Sequence, residues 1–218
     1  MEAFWGVKES EVLDKLQSSG GGLTGKEAKR KLRKWGANVV GKRRKRTAVG
    51  ILWLQLNNWL MLTLLVATGV AWFLGEKVDA AVILGVVGLS VVFGFLQEFR
   101  AERTIEKLQK YISQRARVLR DGRWEEISSK EVVVGDVVEL RLGDRVAADT
   151  RLLFADNLTV DEAILTGESL PVNKEIGVVE AGAEMSGRKN MVWAGSYIGG
   201  GVGKGVVVAT GESTFLGE

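Results

Sequence analysis

The residues best suited to chemistry lie in one short stretch, Thr166-Gly167-Glu168-Ser169, followed at once by Leu170 and by Pro171, the only proline of the chain. Gly167 permits a tight backbone conformation that a side chain would resist. Thr166 and Ser169 can hydrogen-bond nearby backbone, and Pro171 stiffens the exit. A loop of this kind presents the Glu168 carboxylate outward at a fixed angle, where it can act as a general base and orient a water molecule. The same four letters recur at Thr210-Gly211-Glu212-Ser213, so the letters alone do not separate a catalytic loop from a solvated turn. The surroundings must.

The chain has 218 residues, enough for one ordinary domain or a small domain plus extra elements. It contains no cysteine and no histidine. That excludes disulfides, thiolate or imidazole metal sites, and Cys/His or Ser/His nucleophiles, and leaves acid–base work to Asp, Glu, Lys or Tyr. No metal site is expected. The net charge of +3 is small but unevenly placed, with Lys42-Arg43-Arg44-Lys45-Arg46 forming one basic block. No aromatic residue is interleaved with that block and an apolar run follows it, so it reads as a juxtamembrane anchor rather than a nucleic-acid contact.

Several elements must position the loop. Residues 10–16 read as a short helix with Val12, Leu13 and Leu16 on one side, and Ser18 to Gly22 as a flexible break. Thr24 stands three residues before Glu27, the spacing of a capping box, and Ala28, Leu32 and Trp35 fall on one face of the helix it would start. Gly36 stops it. The opposite face is Lys26, Lys29, Arg30, Arg33 and Lys34.

Residues 51–74 are almost wholly apolar, with Gln55, Asn57 and Asn58 in the first part, and residues 80–97 form a second run interrupted by Ser90. A bilayer core of about 30 Å is crossed by ~20 apolar helical residues, and ~17 can suffice. Neither run keeps the polar stripe usual for a soluble core helix. The spacing predicts a transmembrane helical hairpin over residues 47–98, with Gly75 to Asp79 as its linker. Lys42–Arg46 on one flank, and Arg100 and Arg103 on the other, put both outer ends in the cytoplasm. Residues 99–114 continue as a stalk helix, with Ile105, Leu108 and Ile112 as a seam and Glu106 paired to Lys110.

From residue 115 the pattern changes to short strands: 117–120 and 123–127 around an Asp121-Gly122 turn, then 132–134, 137–140, 152–154, 158–160, 191–194 and 205–208. Gly199-Gly200-Gly201 reads as a hairpin tip, since no Gly-Lys-Ser/Thr follows to make it a phosphate cradle. The expected fold is a membrane α-helical hairpin plus a mainly β domain, a distorted sandwich or jelly-roll-like module.

The order of these parts resembles the P-type cation-transporting ATPases. The likeness runs from Gly22-Leu23-Thr24, Glu27-Ala28 and Trp35-Gly36-Ala37-Asn38 through Gly94-Phe95-Leu96-Gln97-Glu98 to Val118-Leu119-Arg120-Asp121-Gly122 and Val134-Gly135-Asp136-Val137-Val138. It continues through Gly143-Asp144-Arg145-Val146, Leu158 to Glu162, Leu165 to Val172, and Val207-Val208-Ala209-Thr210-Gly211. On this resemblance residues 1–46 are an N-terminal cytoplasmic segment and 115–218 an actuator domain. Ala147 and Thr150 stand where the family typically has proline and often has glycine, which is expected to loosen that turn.

The resemblance implies that Glu168, supported by Thr166, Gly167 and Ser169, places the water that hydrolyses an aspartyl-phosphate, and that Glu212 has no such role. In the family that aspartate sits in an Asp-Lys-Thr-Gly motif, absent here. The chain is therefore expected to be an N-terminal fragment, ending before a third membrane helix. It would need the phosphorylation, nucleotide-binding and transport segments of a pump as partners, along with the lipid bilayer. No cofactor is expected on the chain itself; ATP and Mg2+ are implied for the complete enzyme. The N-terminal and stalk segments resemble the calcium and proton types, since the cysteine motifs of the heavy-metal type are missing. A second possibility is a non-enzymatic, membrane-anchored regulatory or binding protein derived from such an ATPase. The expected location is the cell membrane.

Overall fold

Asp121 and Gly122 both adopt positive φ (49° and 72°), the conformation a two-residue hairpin demands. They join β1 (Arg115–Arg120) to β2 (Arg123–Ser128) in antiparallel register, with Arg120 opposite Arg123. The computed structural model describes residues 2–41, 47, 50–53, 57–111, 114–167 and 170–217, with side chains from 105 to 111 excepted. The basic block Lys42–Arg46, Gln55, the seam of Ile105, Leu108 and Ile112 with its Glu106–Lys110 pair, and Glu168 and Ser169 lie outside the described residues. The chain divides into two units, Met1–Lys42 with Ser113–Glu218, and Arg43–Ile112.

In the first unit the remaining strands are β3 (Val137–Arg141), β4 (Asp149–Asp161), β5 (Val172–Asn173), β6 (Met191–Val192) and β7 (Tyr197–Ala209). They make one antiparallel sheet in the order β2-β1-β3-β7-β4-β5, with β6 also on β4. The expected strand at 132–134 is instead an irregular turn. The reason is Asp136, whose carboxylate accepts the Val133 amide at 2.9 Å and is gripped by Arg120 through two nitrogens at 3.0 and 2.7 Å. A side chain there takes the donor that a strand partner would need.

The expected separate strands at 152–154 and 158–160 are one long strand, β4. Its register against β7 shifts between Asp156 and Thr159, where Asn157 sits at φ 48°. The Gly199–Gly201 segment is not a hairpin tip but part of the first half of β7, opposite that irregularity. A Cβ on Gly201 would fall 2.2 Å from the Asn157 carbonyl oxygen, so close backbone approach explains the glycine. The turn around Ala147 is tied on both sides, by the Arg141 amide to Asp144 (2.9 Å), Val146 to Ser196 (2.9 Å) and Asn38 Nδ2 to the Ala147 carbonyl (2.8 Å).

Alternation along the strands fills both faces. Val118, Leu152, Val160 and Val207 join one buried cluster, while Val206 and Val208 join Phe4, Trp5, Val12 and Leu16 in another. The second cluster is roofed by the N-terminal segment, whose helices are α1 (Glu9–Lys15) and α2 (Gly25–Trp35). The capping box forms as expected, the Glu27 amide donating to Thr24 Oγ1 and the Thr24 amide to the Glu27 carboxylate. Arg151, fully buried, fastens this roof: its guanidinium donates to the carbonyls of Phe4 (3.2 Å) and Val7 (3.3 Å), to Gly177 and to Glu9.

In the second unit, residues 50–53 are helical, Asn57 and Asn58 form a turn, and helix α3 runs over Trp59–Phe73. Asn58 caps α3 by accepting the Leu60 amide at 3.2 Å, so the polar pair at 57–58 divides the 51–74 run. Fifteen residues of helix span roughly 22 Å, short of a bilayer core. After a turn over residues 74–76, helix α4 extends over Lys77–Tyr111, absorbing both part of the expected linker and the backbone of the stalk. α3 and α4 pack on each other. Among the described residues, α4 is the one helix long and apolar enough to cross a membrane, over Lys77–Thr104, whose most apolar 18-residue stretch has a mean hydropathy of 2.3. Apolar side chains cover the outside of the pair, as at Leu84, Leu89 and Phe93.

Candidate catalytic loop

The loop leaves β4 and returns on β5. Its neck is the antiparallel pairing of Thr159 with Asn173 and Val160 with Val172, closed further by the Lys174 amide donating to the Leu158 carbonyl at 2.8 Å. Above the neck, Asp161 accepts the Ala163 amide (2.9 Å) and starts a single helical turn, α5 (Ala163–Thr166). The Glu162 carbonyl accepts three donors from that turn: the amides of Leu165 (2.9 Å) and Thr166 (3.0 Å), and the Thr166 hydroxyl (3.2 Å). Gly167 then takes the left-handed conformation (φ 76°, ψ −3°) and ends the turn, its amide donating to Ala163 at 2.9 Å. Four residues of helix have little stability of their own. Their order comes from the neck and from these local bonds.

The structure places Thr166 and Gly167 together at the exposed end of this turn, with Ile164, Leu170 and Pro171 exposed around them. Glu168 and Ser169 lie outside the described residues, between Gly167 and Leu170. The tight glycine and the exposed exit both agree with the sequence.

Beneath the turn lies a feature that sequence reasoning missed. Glu162 and Lys174 are both buried, their side chains 1% and 0% exposed, and their carboxylate and ammonium are 2.5 Å apart. Neither charged group reaches a further polar partner among the described residues. Burial pushes the Glu162 carboxyl up, and Lys174 pulls it partway back; burial pushes the Lys174 ammonium down against the attraction of Glu162. No periodicity marks Lys174 as buried, because β5 is only two residues long.

Residues 110–218 match the family described as the P-type ATPase actuator domain, and residues 4–71 match the cation transporter/ATPase N-terminus. The chain belongs to the P-type ATPase family. A calcium-transporting ATPase of Bacillus subtilis is 39% identical over 198 residues, 90% of this chain and 22% of its own length. A probable cation-transporting ATPase F of Mycobacterium tuberculosis is 38% identical over 99% of this chain and 24% of its own, and the cation-transporting ATPase pma1 of Synechocystis is 39% identical over 95% and 23%. The chain thus spans about a quarter of the length of these P-type ATPases.

The second Thr-Gly-Glu-Ser stretch of this P-type ATPase chain follows β7, in a short 3-10 turn over Gly211–Ser213. Gly211 is buried there, and its amide donates to Asn38 Oδ1 at 2.7 Å, while Glu212 points into solvent.

Proposed function

We propose that this chain is the N-terminal and actuator part of an ATP-driven cation pump of the calcium- or proton-transporting type, and that Glu168 positions the water that hydrolyses an aspartyl-phosphate. The observation that carries the proposal is the exposed, neck-closed turn that ends at Gly167, one residue before Glu168, inside the stretch that matches the actuator domain. Glu168 accepts a proton as the water oxygen attacks phosphorus. The P–O bond to the aspartate breaks, and inorganic phosphate and a free aspartate result.

The aspartyl-phosphate comes from phosphorylation, nucleotide-binding and transport segments that act as partners of this chain. ATP and Mg2+ belong to the complete enzyme. The span Lys77–Thr104 crosses the cell membrane, with α3 beside it as the other arm of a hairpin. The basic residues Lys42–Arg46, Arg100 and Arg103 keep the N-terminus and the β domain on the cytoplasmic side.

The test is co-expression with a chain that carries the phosphorylation and transport segments. Phosphoenzyme decay is then compared for the wild type and Glu168→Gln. Loss of the base is expected to slow decay by about 10²-fold or more, trapping the phosphorylated form. Equal decay in the two proteins would remove Glu168 from the reaction.

A further inference from the structure

We infer that the buried Glu162–Lys174 ion pair is a positioning device that holds the Ala163–Gly167 turn from which Glu168 follows, an inference that rests on the catalytic role proposed for Glu168. Glu162 immediately precedes α5, and Lys174 immediately follows β5, so the pair bridges the two ends of the loop. The neck is already closed by strand pairing and by the Lys174 amide. A buried ion pair is a poor way to add stability there, because taking two charges out of water costs about as much as their attraction returns. Two apolar side chains of similar volume would fill the space as well.

What an apolar pair would not supply is direction. The contact between carboxylate and ammonium fixes the Glu162 side chain in one place. The backbone carbonyl of the same residue receives the Leu165 amide, the Thr166 amide and the Thr166 hydroxyl. Locking Glu162 therefore locks the turn that leads through Gly167 to Glu168. Neither residue touches a reacting atom; both act through the loop, and their effect is on the angle at which it is presented.

The experiment uses the full chain in lipid nanodiscs, alone and assembled with the complementary pump segments. The decisive variant is Glu162→Met with Lys174→Met. It is expected to melt at or above the wild-type temperature, since apolar replacement of a buried pair is often neutral or stabilising. Its Leu165, Thr166 and Gly167 amides are expected to exchange with deuterium at least about tenfold faster. In the assembled pump, phosphoenzyme decay slows by about tenfold while the KM for ATP in the phosphorylation step stays unchanged.

Wild-type exchange and wild-type decay in that variant would overturn the inference and leave the pair a packing feature. Should the double variant melt far below the wild type, Glu162→Leu with Lys174→Met decides by the same two readings, taken well below its melting temperature, since it too removes the contact between carboxylate and ammonium. Glu168→Gln runs beside it as a control. If that variant traps the phosphoenzyme while the double Met variant decays normally, only the positioning inference fails. If Glu168→Gln decays normally, the catalytic role fails, and the exchange rates still report whether the pair orders the loop.

Discussion

The first Thr-Gly-Glu-Ser stretch leaves the sheet on one helical turn, has no strand pairing beyond its neck among the described residues, and is flanked by Ile164 and Leu170, both exposed to solvent. The second lies against residues 37–39, with Gly211 buried, its amide on Asn38 and its carbonyl accepting the Thr214 hydroxyl at 2.7 Å. Identical letters thus serve as a presented loop in one place and as a plug in the other. What differs is the company each keeps: a buried ion pair and a two-residue strand hold the first above the sheet, whereas the second is seated by the Gly211 amide's hydrogen bond to Asn38 of the N-terminal segment. Loop chemistry comes from exposure on a rigid base, and motif letters alone do not supply it.

The largest contrast is kinetic. In the assembled pump, Glu168→Gln is expected to slow phosphoenzyme decay by about 10²-fold or more, while Glu212→Gln changes it by less than about twofold. Quenched-flow measurement of the phosphorylated fraction separates the two. Equal slowing in both variants would mean that the second copy also faces the phosphoenzyme, and would erase the distinction between loop and plug.

The next contrast is in stability, and it runs the other way. Asn38 is buried and donates to the carbonyls of Ser129 (2.9 Å) and Ala147 (2.8 Å) while accepting from Gly211 (2.7 Å). Asn38→Ala strands a buried amide and two carbonyls, and is expected to cost about 3 kcal/mol, read as a lower urea midpoint for the β unit. The phosphoenzyme decay rate is expected to stay at the wild-type value. A stable Asn38→Ala variant would show that the plug carries no load.

The parts legible in the sequence were those governed by local chemistry. The Thr24–Glu27 capping box, the Asp121-Gly122 hairpin and the tight turn at Gly167 each depend on residues within a few positions of one another, and each formed. The parts that escaped turn on competing contacts, several of them with partners far along the chain. Val132-Val133-Val134 has the composition of a strand, yet Arg120 and Asp136 bend it into a turn. Gly199-Gly200-Gly201 has the composition of a tip, yet Asn157 across the sheet requires it inside a strand. Asn57 and Asn58 counted as two polar residues in an apolar run, but one of them caps a new helix. In the site, Thr166 and Gly167 were found from their letters, whereas Glu162 and Lys174 were not, because burial of a charge is decided by tertiary packing and leaves no periodic trace.

The smallest contrast concerns the two glycines. Gly167 (φ 76°) and Gly211 (φ 57°) both occupy the left-handed region, so alanine at either carries a backbone penalty of about 1–2 kcal/mol. At Gly167 a new Cβ meets nothing within 4 Å among the described residues, and the penalty is that of the backbone conformation. At Gly211 the Cβ would sit 3.2 Å from the Val39 carbonyl oxygen, in a segment held by Asn38, so neighbouring backbone must also give way. Gly211→Ala is therefore expected to destabilise the β unit by about 1 kcal/mol more than Gly167→Ala, as one more overpacked contact would. The functional order is reversed: Gly167→Ala is expected to slow phosphoenzyme decay and Gly211→Ala to leave it unchanged, because only the former shifts the residue before Glu168. Urea melts and decay rates on the same two proteins decide it. Should the more destabilising alanine also be the slower one, the loop's rate would follow global stability and not the conformation at Gly167.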